Sequence, residues 1–281
     1  MKIFVVFIAM FMAGLSAARA QGVHKPGDNE PDDPFDKKSW FMSGVNYVSD
    51  NVYLGRHDTA KAPYVSPYIG YHDKSGLYGK LLAAYAPAKG KLDLVTVEAG
   101  YDHDFGEHLN LGVDADRFFY NKNSTNIMSS TKWWAGVNGQ YTNNIVEPQV
   151  SFNLDFNKKT DYILELNLDH DFDFLKKTLH VIPAVAMNAG TQHYYDEYFV
   201  NKLNKKDKSL KAKKAIGDAG KFKPLDYELS VKVTYRVAKW LFTLEPTYYI
   251  PLSPATITFP NKIFTENLSN SFVLELDICH R

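Results

Sequence analysis

The chain has 281 residues, with 32 Lys and Arg against 32 Asp and Glu, so it lacks the basic excess that nucleic-acid binding requires. Its one cysteine, Cys279, excludes an internal disulfide. A hydrophobic fraction of 45% and a mean hydropathy of −0.32 exclude a bundle of membrane helices, but not a barrel, in which half of each strand is polar.

The first 20 residues read as a cleavable export signal: Lys2, an apolar run from Ile3 to Leu15, then Ala18-Arg19-Ala20 before Gln21. The run is shorter than the about 20 residues a spanning helix needs. No Cys follows the cleavage point to take a lipid anchor. Residues 21–38 are rich in Pro, Asp and Gly and are expected to be a disordered periplasmic lead-in. Residues 39–281 are expected to form one all-β domain, a transmembrane antiparallel β-barrel of 12 strands in the outer membrane of a Gram-negative bacterium.

The strands are predicted near 40–54, 64–72, 76–86, 92–104, 108–119, 133–142, 146–156, 162–169, 179–189, 225–237, 240–250 and 271–280. The pattern is clearest in 225–250. Leu225, Tyr227, Leu229, Val231, Val233, Tyr235 and Val237 alternate with Asp226, Glu228, Ser230, Lys232, Thr234 and Arg236. Side chains of a strand alternate between faces, so one face is apolar and the other charged. After Ala238-Lys239, Trp240, Phe242, Leu244, Pro246, Tyr248 and Ile250 continue the apolar face. Strands of about 10 residues with this alternation suit a barrel wall facing lipid.

The connections carry a second periodicity. The links after strands two, four, six and ten are tight, and that after strand eight is little longer. The long links follow strands five (121–132), nine (190–224) and eleven (251–270), all at the other end. Outer-membrane barrels pair short periplasmic turns with long external loops. Pro148, Pro183 and Pro246 fall inside strands and are expected at bulges or strand ends, because proline cannot donate to a ladder. A soluble sandwich is the alternative to the barrel. A twelve-strand barrel lined by Val and Leu would enclose a void, so the apolar face is assigned to lipid and the polar face to the lumen.

That assignment lines the lumen with Glu98, Asp102, Asp114, Asp116, Glu147, Asp155, Glu165, Asp169, Asp226, Glu228, Glu245, Glu275 and Asp277, against only Lys80, Lys232 and Arg236. An acidic lining in a low-dielectric wall favours cations. The sequence therefore predicts a channel for small polar, cationic solutes. The other outcome is that these acids pair with loop Lys and Arg and close the lumen, leaving a structural or adhesive barrel.

Ser49-Asp50-Asn51-Val52-Tyr53-Leu54-Gly55, with Pro63, Ser75-Gly76-Leu77-Tyr78-Gly79 and Val97-Glu98-Ala99-Gly100-Tyr101, resembles the TorF-type family of Gram-negative outer-membrane porins. The resemblance covers about the first third of the chain after the signal. It departs at Asn51 and Leu54, where that family has an aromatic residue and Arg. The chain also ends His280-Arg281, where many outer-membrane proteins end in Phe. The resemblance implies a pore, names no substrate and carries over no catalytic residue.

The expected partners are outer-membrane lipid, lipopolysaccharide and small polar solutes. No cofactor, metal or catalytic group is assigned. The Lys-rich link 202–223 reads as a solvated loop, or as a patch for anionic surface polysaccharide. Before it, 191–203 reads as a short helix over the mouth. Trp40 and Trp240 are expected at the periplasmic rim, and Phe119 and Trp133 at the external one. His103, His170 and His280 read as interfacial. A lipid-modifying enzyme is the remaining reading; its candidate base is His57, beside Asp58 and Thr59, with no nucleophile motif nearby.

Overall fold

In the computed structural model of this chain, the described residues are 38–57, 63–124, 126–143, 145–206, 217–259 and 262–281. The predicted signal, the lead-in apart from Lys38, residues 207–216 of the Lys-rich link, and Asp58 and Thr59 lie outside them.

Twelve strands form the wall: β1 (Trp40–Val48), β2 (Tyr64–His72), β3 (Leu77–Ala86), β4 (Lys91–Phe105), β5 (Leu109–Tyr120), β6 (Trp133–Tyr141), β7 (Glu147–Phe156), β8 (Thr160–Asp169), β9 (Leu179–Gly190), β10 (Lys223–Val237), β11 (Trp240–Pro251) and β12 (Ser271–His280). Each pairs antiparallel with its neighbours in sequence, and β1 pairs with β12 with Val45 opposite Ile278. The wall is thus a closed meander with no free edge to promote aggregation. Predicted bounds hold to within about two residues for every strand except the first.

Alternation sets which way each face looks. On β5, Leu109, Leu111 and Val113 are exposed while Asp114 between the two rows is buried. On β10, Tyr227, Tyr235 and Val237 are exposed and Asp226, Glu228, Ser230 and Thr234 buried. Exposed apolar side chains recur on every wall strand except β9, where the outward groups are half-buried, and form an outer belt. A belt of that extent, far beyond the few hundred Å² of an ordinary soluble surface, is stable against lipid. The soluble sandwich is excluded, because the apolar faces point outward from one closed sheet instead of packing together.

The prolines sit where a ladder is interrupted. Pro148 is the second residue of β7. Pro183 faces β8 just beyond the last β8–β9 pair, Asp169 with Ala184. Pro246 lies in the gap between the Ser230–Thr247 and Val233–Leu244 pairs of β10 and β11. Pro183 is therefore neither at a bulge nor at the end of its own strand; the end of its neighbour accommodates it.

Three predicted placements are corrected. The first strand ends at Val48 instead of Leu54, because residues 49–57 turn inward as a small hairpin, Val52–Tyr53 against Arg56–His57. Leu54 and Gly55 at its tip have φ of 49° and 72°, the left-handed pair that a tight two-residue hairpin requires. Trp40 is buried on the inner face and not in the rim belt. It stacks on His72 at 5.4 Å, and the Arg281 guanidinium lies 4.7 Å over its ring. Both faces of β1 carry large apolar groups, so its phase was not legible from alternation. Leu225 is fully buried instead of lipid-facing, since a register shift opposite Asn188 and Ala189 carries it into the loops above the barrel. Trp240, Phe119 and Trp133 are exposed as predicted. His280 meets Trp240 edge-on at 4.8 Å, His170 meets Phe172 at 4.6 Å and His103 meets Phe105 at 4.7 Å.

Candidate functional site

The long links meet at one end of the barrel and share a hydrophobic core. Tyr53 and Leu54 come from the first link, Ile127 and Met128 from the fifth, and Ala255 and Ile257 from the eleventh. The ninth link contributes helix α1 (His193–Lys206), which packs Tyr194, Tyr195 and Phe199 into the same core. The result is a lid over the mouth, placed by residues far apart in sequence.

Polar contacts fix this lid to the wall. Asp161 on β8 caps α1: its carboxylate accepts the backbone N–H groups of His193 at 2.7 Å and Tyr194 at 2.5 Å, and the Thr191 hydroxyl at 2.6 Å. An acid at a helix N-terminus satisfies orphan donors and complements the helix dipole. Arg56 is buried within the lid. Its guanidinium pairs with Glu266 at 3.3 Å, donates to the Ser253 carbonyl at 2.9 Å and lies 5.2 Å over the Tyr195 ring. Burial opposes the Arg56 charge, but the facing Tyr194 and Glu266 outweigh it and hold its pKa above the ordinary value. The Tyr195 hydroxyl donates to Glu266 at 2.6 Å, and burial with that carboxylate raises its pKa, keeping it a neutral donor. Across the lumen, the Tyr53 hydroxyl of the small hairpin donates to Asp155 on β7 at 2.7 Å. Burial, then the Asp155 charge, likewise keeps Tyr53 protonated.

Beneath the lid lies a narrow chamber of about 100 Å³. Six carboxylates line it: Asp50, Glu98, Asp116, Glu165, Glu228 and Glu275. Tyr53, Tyr64, Phe118, Tyr120, Trp134 and Tyr249 supply aromatic surface, and among the described lining residues there is no Lys or Arg.

All fifteen sequence-assigned lumen residues (Glu98, Asp102, Asp114, Asp116, Glu147, Asp155, Glu165, Asp169, Asp226, Glu228, Lys232, Arg236, Glu245, Glu275 and Asp277) stand on the inner face, and none is exposed. Only five of them, Glu98, Asp116, Glu165, Glu228 and Glu275, reach the chamber; the rest lie along other parts of the inner wall. Neutral donors on neighbouring or next-but-one strands hold several of these acids. Asn188 donates to Glu228 at 2.7 Å, Asn46 to Glu275 at 2.5 Å, Tyr68 to Asp277 at 3.0 Å and Gln149 to Asp169 at 2.7 Å. Lys80 pairs with Glu98 at 3.9 Å. Sequence reasoning missed Asp50, the Arg56–Glu266 pair and the Asp161 cap. Only Leu54-Gly55 signalled the turn that brings the first two inward. His57, the candidate base, is half-buried at the end of this hairpin, paired with Val52. One other cluster with metal-ligand chemistry, Asp171, Asp173 and His180, lies at the opposite end of the barrel.

No family model matches the chain, and no curated protein does. Solved structures of similar shape include the KdgM porin, at 10% identity and a TM-score of 0.49, covering 86% of this chain and 99% of that one. The NanC porin gives 8% identity and a TM-score of 0.47, covering 86% and 98%. LpxR from Salmonella typhimurium gives 10% identity and a TM-score of 0.44, covering 85% and 99%. The architecture itself rests on the strand pairing described above.

Proposed function

We propose that this chain is an outer-membrane channel of the TorF type that admits small polar, cationic solutes to an acid-lined lumen, seen here with its lid closed. One observation carries the reading: six carboxylates and no described Lys or Arg line the chamber beneath the lid. In a narrow cavity with low-dielectric walls, such a lining concentrates counter-ions. The aromatic rings beside it offer faces to a partly dehydrated cation. The predicted signal and lead-in complete this reading as export to the outer membrane, with the lid on the external side.

A closed structural or adhesive barrel is the second reading, favoured by the buried core that the lid shares with the wall. Flux into proteoliposomes separates the two. Entry of a small amine that exceeds entry of an acid of equal size is the expected result. Equal exclusion of both would favour the closed barrel, and faster entry of the acid would overturn the cationic assignment.

A further inference from the structure

At the end opposite the lid, the link between β8 and β9 turns back as a short strand, Phe172–Phe174, that pairs with the start of β9. Pairing sets Asp173 directly opposite His180, while Asp171 approaches from the end of β8. One carboxylate oxygen of each aspartate stands 2.8 Å from the same ring nitrogen, His180 Nδ1. A nitrogen carries one proton in the ring plane, so it cannot serve two acceptors well. Two carboxylates converging on one nitrogen call for positive charge there, from a proton on Nδ1 or from a metal ion in its place.

The rest of the pocket suits a metal ion in that proton's place. His180 Nε2 lies 3.2 Å from the Lys177 carbonyl. A carbonyl only accepts, so Nε2 carries a hydrogen; a metal ion that displaces the Nδ1 proton would therefore meet both carboxylates at that nitrogen. Metal-binding imidazoles are held in the same way, by donating their second N–H to a carbonyl or carboxylate. The His180 side chain is 5% exposed and so cannot swing out to water. The second oxygen of Asp171, Oδ1, is buried with no hydrogen-bond partner in the structure, an acceptor that a bound ion's water would satisfy. All three ligand atoms lie within 4.8 Å of one another.

We propose that Asp171, Asp173 and His180 form a site for a divalent transition metal of the zinc class. One imidazole and two carboxylates suit zinc or manganese. The nitrogen ligand disfavours magnesium and calcium, which take oxygen. Ligand oxygens and nitrogen around zinc stand about 2.0–2.2 Å from the ion, so the two carboxylates must part slightly to admit it. Asp173, exposed on the short strand, provides that movement. The ion would clip the turn to β9 through residues from both sides of the link, with water completing its coordination.

The test is calorimetric titration of the refolded full barrel in detergent with zinc chloride alone, beside His180→Gln and Asp173→Asn. Heat-modifiable gel mobility verifies that each variant keeps its barrel. The site predicts one zinc per chain in the parent whose affinity falls at least tenfold in both variants. Should His180→Gln fail to refold, Asp173→Asn alone decides, since its side chain is largely at the surface. A parent that binds no zinc, or variants that bind it as tightly as the parent, would overturn the site and leave a His–Asp ion pair.

Discussion

Arg56 is the side chain on which the lid most depends. Removing one partner of a buried ion pair strands the other charge and costs about 3–5 kcal/mol. Arg56→Ala is therefore expected to loosen the lid while the barrel persists. Amide exchange should rise in residues 52–57 and 253–257, with the wall strands unaffected; unchanged exchange there would remove Arg56 from its role. Asp73, in the turn between β2 and β3, gives a pH-dependent counterpart. It accepts the Ser75 amide at 3.0 Å, the Ser39 hydroxyl at 2.8 Å and the Tyr71 hydroxyl at 3.2 Å. Hydrogen bonds from Ser75 first, and then Ser39, hold its carboxyl well below the usual range. A depressed folded-state pKa contributes stability above the unfolded value of about 3.9 and loses it as pH falls through the folded one. The Ser75 amide should stay protected at pH 4 and lose protection only in stronger acid. In Asp73→Ala it should exchange fast at every pH. Protection lost already near pH 4 would contradict the bonding seen here.

Among the elements, the wall was legible and the lid was not. Val231-Lys232-Val233-Thr234 alternates without interruption, because each residue has one environment per face, lipid or lumen. Residues 49–57 carry no such rule. They pack against α1 and the eleventh link, whose chain positions lie about 140–210 residues away, and local pattern cannot encode contacts at that range. The same holds for Asp161, which falls just before the predicted eighth strand but caps a helix 32 residues on. Asp161→Ala should cost α1 about 1–2 kcal/mol, as lost caps do, visible as faster exchange of the His193 and Tyr194 amides. Gly55 tests the hairpin. It has a φ of 72°, and a Cβ there would come within 2.8 Å of the Asp226 Cβ and 2.9 Å of the Pro251 backbone. Gly55→Val should expel the hairpin from the mouth, making the chain around it sensitive to protease. A variant as resistant as the parent would place the hairpin elsewhere.

For the whole molecule, the closed wall, the outer belt and the acidic interior follow from one binary pattern repeated along most of the twelve strands, whereas open or closed depends on loops that the pattern leaves unspecified. In the proposed channel, the chamber's carboxylates would set its selectivity. A charge a few ångströms from an ion path in wet surroundings is worth about 1 kcal/mol, or roughly a factor of five. Glu228→Gln and Glu275→Gln together should therefore cut cation preference by roughly 25-fold without closing the channel. The central claim, a cation path gated by a packed lid, is tested most directly by the reversal potential of single channels in a planar bilayer under a salt gradient, with the parent and Arg56→Ala side by side. The account predicts rare openings in the parent, frequent ones in Arg56→Ala, and a reversal potential of cationic sign in both. An anionic sign, or silence in both proteins after verified insertion, would contradict it.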